Sequence, residues 1–207
     1  MNFTSSMIDS LRSDIQKKLS EKRYLHTLGV ERMALKLGAI ILPEKTDELS
    51  VAALLHDVAK EISYDSQIAL IQKACIKYTD EDIAAKPALH SISALAVIKN
   101  SYPRFATNDI CSAVYNHTLG APNMSLFDEI IFISDYIEDG RTYQSCIEVR
   151  KYVEENIKYT NSHSDNLRHL HIASLRSIEQ TIASLKDRNE RIHSKTYKTQ
   201  NYLKGII

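Results

Sequence analysis

Glycine and proline are scarce in this sequence, 5 and 4 among 207 residues, and no stretch alternates apolar and polar residues long enough to read as a strand. With so few turn and breaker residues, the chain is expected to be all-α. Cysteine is equally sparse. Cys75, Cys111 and Cys146 are odd in number, far apart and in no metal-ligand spacing, so they read as reduced thiols of a cytoplasmic protein, filling core or surface. Charge of one sign is also lacking: 26 Lys and Arg balance 26 Asp and Glu, which argues against nucleic acid or an anionic membrane as a partner. No apolar run approaches the ~20 residues of a membrane span, and the polar N-terminus lacks a signal-peptide core. There is no internal repeat. What remains is 43% hydrophobic and 25% charged, the balance of one globular domain spanning 1–207 with a real core.

Helical periodicity runs along the chain. Residues 6–19 carry Met7, Ile8, Leu11, Ile15 and Leu19 at helical spacing. Ser20 can cap a second helix to about Ile40, interrupted by His26. After the loop Leu42-Pro43-Glu44, Thr46 or Asp47 starts a helix expected to carry His56-Asp57. Ser63 caps another through Ile76, and Thr79-Asp80-Glu81-Asp82 opens a further turn or helix. Ala88 to Lys99 contains His90; Asn108 or Asp109 caps a helix ending at Asn116 to Gly120. Ser125 caps the strongly apolar Leu126 to Glu138, which Asp139-Gly140 terminates, and 145–157 and 166–188 give two more amphipathic helices. In 189–207, Arg191, Lys195, Lys198 and Lys204 face only Glu190, the composition of a solvated basic tail, although Tyr197, Tyr202, Leu203 and Ile206 alternate through it.

Six residues are awkward where they sit. His26, His56, His90 and His117 fall in four different helices or helix ends, and Asp57 and Asp135 interrupt apolar runs. A buried carboxylate is costly unless paired or bound to a cation. Any one of the histidines is readily read as a hydrogen-bonded core residue, but six separate explanations are then needed where one cluster needs one. Neighbours on a helix point about 100° apart, so His56 and Asp57 cannot chelate well without partners from elsewhere. Imidazole and carboxylate without thiolate suit a divalent first-row ion: Fe, Mn, Co, Ni or Zn. Lys60, three residues past Asp57, shares its helix face and can hold a phosphate oxygen, or is an ordinary helix-end lysine. Arg141, just past the helix of Asp135, can reach the same mouth with a phosphate-binding fork. Arg23, one turn before His26, could do likewise but reads first as part of a solvated helix face.

These residues carry a resemblance. The strings Lys22-Arg23-Tyr24-Leu25-His26-Thr27-Leu28-Gly29-Val30, Ala53-Leu54-Leu55-His56-Asp57-Val58-Ala59-Lys60 and Leu89-His90 are followed by Tyr115-Asn116-His117-Thr118-Leu119-Gly120 and Met124-Ser125-Leu126. Ser134-Asp135-Tyr136-Ile137-Glu138-Asp139-Gly140-Arg141 completes them. Over roughly residues 15–205 the chain resembles the YqeK family of bacterial HD-domain metallophosphohydrolases, the symmetrical diadenosine tetraphosphate hydrolases. The resemblance implies an all-α helical bundle with a metal site between helices, core about 15–188. It implies one or two divalent ions, iron foremost, with His26, His56, Asp57 and Asp135 as ligands. His90 and His117 then face a second ion or the phosphates. Asp57, Lys60, His90 and His117 are the implied catalytic residues, and the implied reaction is cleavage of diadenosine tetraphosphate into two ADP by metal-activated water. Around the nucleotide it places His26, Asp57, Lys60, His90, His117, Thr118, Asp135 and Arg141, with Arg23 at the edge. A homodimer is expected on the same ground.

The resemblance also rereads the tail. Ile192-His193-Ser194-Lys195-Thr196 and Asn201-Tyr202-Leu203 resemble a C-terminal segment that folds back toward the nucleotide pocket, so Ile192, His193 and Thr196 are implied nucleotide contacts. The chain departs from the family pattern at Ser91, Leu119, Ala121, Asn123, Asp139 and Ser194, none of them a presumed ligand. Alternative readings are an HD phosphohydrolase acting on a dNTP, a nucleoside monophosphate or a cyclic dinucleotide, and a nucleotide-binding module without catalysis. The plainest is a metal-free helical interaction protein.

Overall fold

The computed structural model describes residues 3–207, and among them there are helices and no strands. Eleven α-helices follow one another: α1 Ser5–Lys18, α2 Glu21–Ile41, α3 Thr46–Leu55, α4 Tyr64–Lys73, α5 Asp80–Ala84, α6 Leu89–Ser101, α7 Asn108–Asn116, α8 Leu126–Ile137, α9 Gln144–Asn156, α10 His163–Asp187 and α11 Ser194–Ile206. Short 3-10 turns at Pro43–Lys45, Lys86–Ala88 and Pro103–Phe105 begin at the prolines, whose fixed φ suits a first helical position. No helix is long and apolar enough to cross a membrane.

The arrangement centres on α3. All of Glu48–Leu55 is buried, as expected for a helix with apolar residues on every face. It packs against α1, α2, α7 and α8, while α2 and α8 also pack on each other. The main core runs through Ile15, Leu37, Leu49, Leu54, Ile110, Ile130 and Ile131, all fully buried. Side chains from α2, α6, α7 and α8 converge near one end of this central helix.

Helix starts follow the capping chemistry of the sequence. Ser20, Ser63 and Ser125 each accept a hydrogen bond from the backbone N–H three residues on. Thr79 and Asp82 close a reciprocal capping box. Several boundaries differ from expectation. Thr107, not Asn108 or Asp109, caps α7, because its extended backbone (φ −76°, ψ 161°) aims the hydroxyl at Ile110 N. Helix α4 stops at Lys73 rather than Ile76, since Cys75 takes up a left-handed φ of 51°. The last stretch is not a solvated tail: α11 is a helix that buries Thr196, Thr199 and Leu203 and packs on α10. Cys75 is exposed, Cys111 half-buried and Cys146 buried, all as free thiols.

One half-buried pair ties α10 to α8. His171 Nδ1 lies 2.9 Å from a carboxylate oxygen of Glu129, which is itself buried. That hydrogen bond, against the cost of burial, raises the His171 pKa above its ordinary value. A raised folded-state pKa stabilises the fold fully below the unfolded value of about 6.5 and loses that stabilisation as pH rises through the folded pKa. His171→Gln replaces the ring N–H donor with an amide N–H and drops the charge. It is expected to cost on the order of 1 kcal/mol at pH 5.5, with the gap from wild type closing by pH 9.5. Paired urea unfolding at the two pH values measures it; a gap that widens with pH contradicts the assignment.

Candidate metal centre

His56 and Asp57 do not lie on α3. They lie just past its end, in a turn held by Val58 N–H to Leu55 O (3.2 Å) and Lys60 N–H to Asp57 O (2.9 Å). His56 Nδ1 bonds the Ala53 carbonyl at 2.7 Å, taking one of the helix's terminal acceptors. The tightened turn carries His56 and Asp57 inward, to 0% and 3% exposure, while Lys60 stays beside the opening.

Four imidazoles surround Asp57. Its Oδ2 faces His26 Nε2 (3.6 Å) and His56 Nε2 (3.4 Å); its Oδ1 faces His90 Nε2 (3.0 Å) and His117 Nε2 (3.6 Å). Asp135, from α8, closes the first side with Oδ1 at 3.1 Å from His26 Nε2. Two sets of three donors within metal-chelating distance, His26, His56, Asp57 and Asp57, His90, His117, thus share one carboxylate, and His56, His117 and Asp135 form a third such set. All six residues singled out in the sequence are in one place.

The hydrogen-bond pattern tests whether a cation fits. His56, His90 and His117 turn Nδ1 to the carbonyls of Ala53 (2.7 Å), Pro87 (2.9 Å) and Val114 (2.7 Å). A carbonyl only accepts, so each Nδ1 carries the proton and each neutral ring presents a bare Nε2 lone pair to the centre. His90 and His117 do so 3.0 Å apart, with the Thr118 hydroxyl, 3.3 and 3.0 Å away, and Lys60 Nζ, 3.4 Å from His90 Nε2, as the neighbouring donors. Asp57 Oδ1 is buried with no donor properly aimed at it. Lone pairs and carboxylate oxygens pointed at one another require positive charge between them, so the donor set fits a divalent ion.

Acid–base behaviour agrees. Burial opposes ionisation of Asp57, yet the imidazoles around it, His56 foremost, outweigh it and hold the carboxyl well below its usual range. Burial likewise opposes charge on His26, but Asp135 and Glu138 raise its pKa to about 9. That pull marks a point demanding positive charge, which a proton or a metal ion can meet. Burial pushes His90 down to about 4 despite Asp57, so its ring is neutral at pH 7.

Three cations ring the cluster. Lys60 Nζ sits 3.3 Å from His90 Nδ1, its pKa lowered by burial. Arg141 Nη2 bonds Asp135 Oδ1 at 2.6 Å. Arg23 is not on a solvated face: its Nη1 bonds Asp57 Oδ2 at 2.6 Å, because the tight turn brings the carboxylate back across the first turn of α2. Beyond them opens a cleft of about 510 Å³, with Lys60, Thr118, Asp135 and Arg141 on one side. Phe132, Ile178, Thr181, Ser184 and Arg188 form much of the other, and Tyr143 stands exposed at the rim. Sequence reasoning missed this second wall, since α10 reads as a plain amphipathic helix.

Ile192, His193 and Thr196 lie outside the cleft lining. Ile192 packs with Phe132, Ile178, Ile182 and Leu203; His193 caps α11 through Lys195 N–H and faces Asp82 Oδ1 at 3.2 Å; Thr196 is buried. The segment touches the site through other residues. Lys195 Nζ donates to Asn116 Oδ1 (2.8 Å) and Thr199 Oγ1 to Leu119 O (3.3 Å), which brace the turn carrying His117 and Thr118. Glu138 was also missed: it is buried and bonds His26 Nδ1 at 3.1 Å.

Comparison with known proteins places this geometry. The HD domain family model matches residues 23–140, from Arg23 through Asp135 to the turn before Arg141. The chain is 28% identical to the symmetrical bis(5'-nucleosyl)-tetraphosphatase of Bacillus subtilis (strain 168), over 91% of this chain and 93% of that one. It is 30% identical to the protein of the same name from Halalkalibacterium halodurans, over 91% and 92%. A crystal structure from Clostridium acetobutylicum, described as an HD superfamily hydrolase involved in NAD metabolism, superposes with a TM-score of 0.82 at 32% identity, covering 99% of both chains. An Asp57-centred cluster held by α2, α6, α8 and the turns after α3 and α7 within that matched span, together with relatives aligned over nearly their whole length, makes this chain a member of the HD-domain family, in the group of the symmetrical bis(5'-nucleosyl)-tetraphosphatases.

Proposed function

We propose that the protein is a metal-dependent hydrolase that cleaves diadenosine tetraphosphate symmetrically into two ADP. The observation that carries this reading is the division of the cluster about Asp57 at the end of a cleft flanked by Lys60 and Arg141. The names of the relatives supply the substrate. Because α10, outside the span 23–140, forms a wall of the cleft, the whole of 1–207 is assigned to one catalytic unit.

In this reading His26, His56, Asp57 and Asp135 hold one divalent ion, and Asp57, His90 and His117 a second. A ligating role for His90 and His117 is preferred to donation to phosphate, because their ring protons are already committed to backbone carbonyls. Iron is the proposed native metal, with Mn, Co, Ni or Zn as substitutes for an N/O donor set without thiolate. Bound ions supply Lewis acidity and lower the pKa of a coordinated water toward ~7. The chain's own groups do the rest. Lys60, Arg141 and Arg23 neutralise the polyphosphate as it enters. The Thr118 hydroxyl, beside the His117 ring, donates to a phosphate oxygen. Phe132, Ile178 and Tyr143 give a nucleoside an apolar wall with an aromatic rim. Metal-loaded protein incubated with diadenosine tetraphosphate should yield ADP alone. Accumulation of AMP with ATP, absence of turnover at verified metal occupancy, or preference for a mononucleotide or cyclic dinucleotide in a substrate panel would overturn it.

A further inference from the structure

We propose that Glu138 is a positioning residue for His26, and that Gly29 and Arg150 are the parts of the fold that hold it in place; the inference rests on the metal-site reading above. Glu138 is the first residue past α8, three after Asp135, and leaves the helix at φ −57°, ψ 153°. Its carboxylate turns inward to 3% residue exposure, where Oε1 lies 3.1 Å from His26 Nδ1 and Oε2 accepts the Gly140 N–H at 2.6 Å. The other three histidines anchor Nδ1 on the carbonyl of the residue three before them. The carbonyl three residues before His26 lies inside α2, where it belongs to the helix ladder, so His26 takes its anchor from a side chain just past the end of α8.

That anchor needs room. Gly29 is one turn past His26 on the same face of α2 and is buried. A Cβ built there would stand 2.3 Å from Glu138 Oε2 and 3.1 Å from its carboxyl carbon, so any larger residue displaces the carboxylate. The backbone on the far side is pinned by Arg150 of α9. Its guanidinium donates to Ile137 O (2.6 Å), at the end of α8, to Glu138 O (2.5 Å), which also accepts the Arg141 N–H, and to Arg141 O (2.7 Å). One arginine thus fixes the segment that carries Asp135, Glu138 and Arg141. None of Gly29, Glu138 and Arg150 belongs to the ligand set proposed for the ion.

The test is divalent-metal affinity, measured with Mn²⁺ and Co²⁺ by chelator competition on folded protein, with the melting temperature of each variant recorded beside it. Glu138→Ala should weaken binding about 10–100-fold, the usual effect of losing the partner that orients a ligating histidine. Glu138→Gln, whose amide oxygen can still accept from Nδ1–H, should recover most of that loss. Gly29→Ala should weaken binding to the same degree although it removes no polar group. The double variant should be no worse than either single change, since both act through one contact. Gly38→Ala is the control. On the same helix its Cβ would meet Leu49 Cδ1 at 2.5 Å, so it should lower the melting temperature and leave affinity unchanged. Folded Glu138→Ala with wild-type affinity, or Gly29→Ala that behaves like Gly38→Ala, overturns the inference alone. A wild-type protein that binds neither ion overturns the metal-site reading and the inference with it.

Discussion

Asp57→Asn is expected to leave a folded protein that has lost both metal and turnover. Asparagine matches aspartate in size, so the packing around this nearly fully buried residue is kept. What changes is the charge and, at one position, the direction of hydrogen bonding. The amide NH₂ falls among His90, His117, His26 and His56, whose Nε2 atoms all lie within 3.6 Å of the present carboxylate. It can donate to those lone pairs and satisfy them without a cation, while Arg23 Nη1 loses its ionic partner. Because Asp57 belongs to both sets of donors, no other ligand can take its place. Metal binding should weaken by more than about 100-fold, and hydrolysis should fall on the order of 10³-fold, the scale of removing a preorganised charge from a water-poor site. The melting temperature of the metal-free protein should stay level or rise. Elemental analysis, product chromatography and thermal unfolding on one preparation test this; a variant that keeps stoichiometric metal contradicts it.

The second large effect separates the two halves of the cluster. His90→Ala and His117→Ala should each lower bound metal from two ions per chain to one, with turnover reduced about 10²–10³-fold. The remaining ion should stay with His26, His56, Asp57 and Asp135. The two losses should not add, because His90 and His117 present lone pairs 3.0 Å apart to one point and share Asp57 Oδ1. Stoichiometry decides the matter. If metal content is unchanged and only KM rises, the two rings serve the phosphates instead, and the tautomer argument from Pro87 O and Val114 O fails. His26→Ala, by contrast, should remove the ion on the other side and leave the His90–His117 pair able to bind.

Much of this site was legible because its members are out of character where they stand. Asp135 in Ile130-Ile131-Phe132-Ile133-Ser134, and His26 in an apolar helix, are costly residues that need partners, and the cluster supplies them. Caps at Ser20, Ser63 and Ser125 were equally readable, since a serine before an apolar run has a local job. Arg23 and Glu138 carry no such signal. An arginine or glutamate near a helix end is ordinary until another segment shows what it faces: Asp57, 34 residues away, for Arg23, and His26, 112 residues away, for Glu138. The same holds for Thr181 and Ser184 on α10 and Arg188 at its end, and for the packing of Ile192 and the cap that His193 makes on α11.

By itself the sequence determined the all-helical class, the six donors and the kind of ion they suit, because periodicity, capping and the cost of burying polar groups act locally. Only the tertiary structure decided that His56 and Asp57 lie beyond α3 in a tightened turn, and that Asp57 divides its two oxygens between two pairs of imidazoles. It also decided which ring nitrogens face backbone carbonyls. Those facts depend on where five helices meet and on carbonyls and side chains aimed within about 3 Å of one another, at hydrogen-bonding distance, and residue spacing along the chain does not encode such angles.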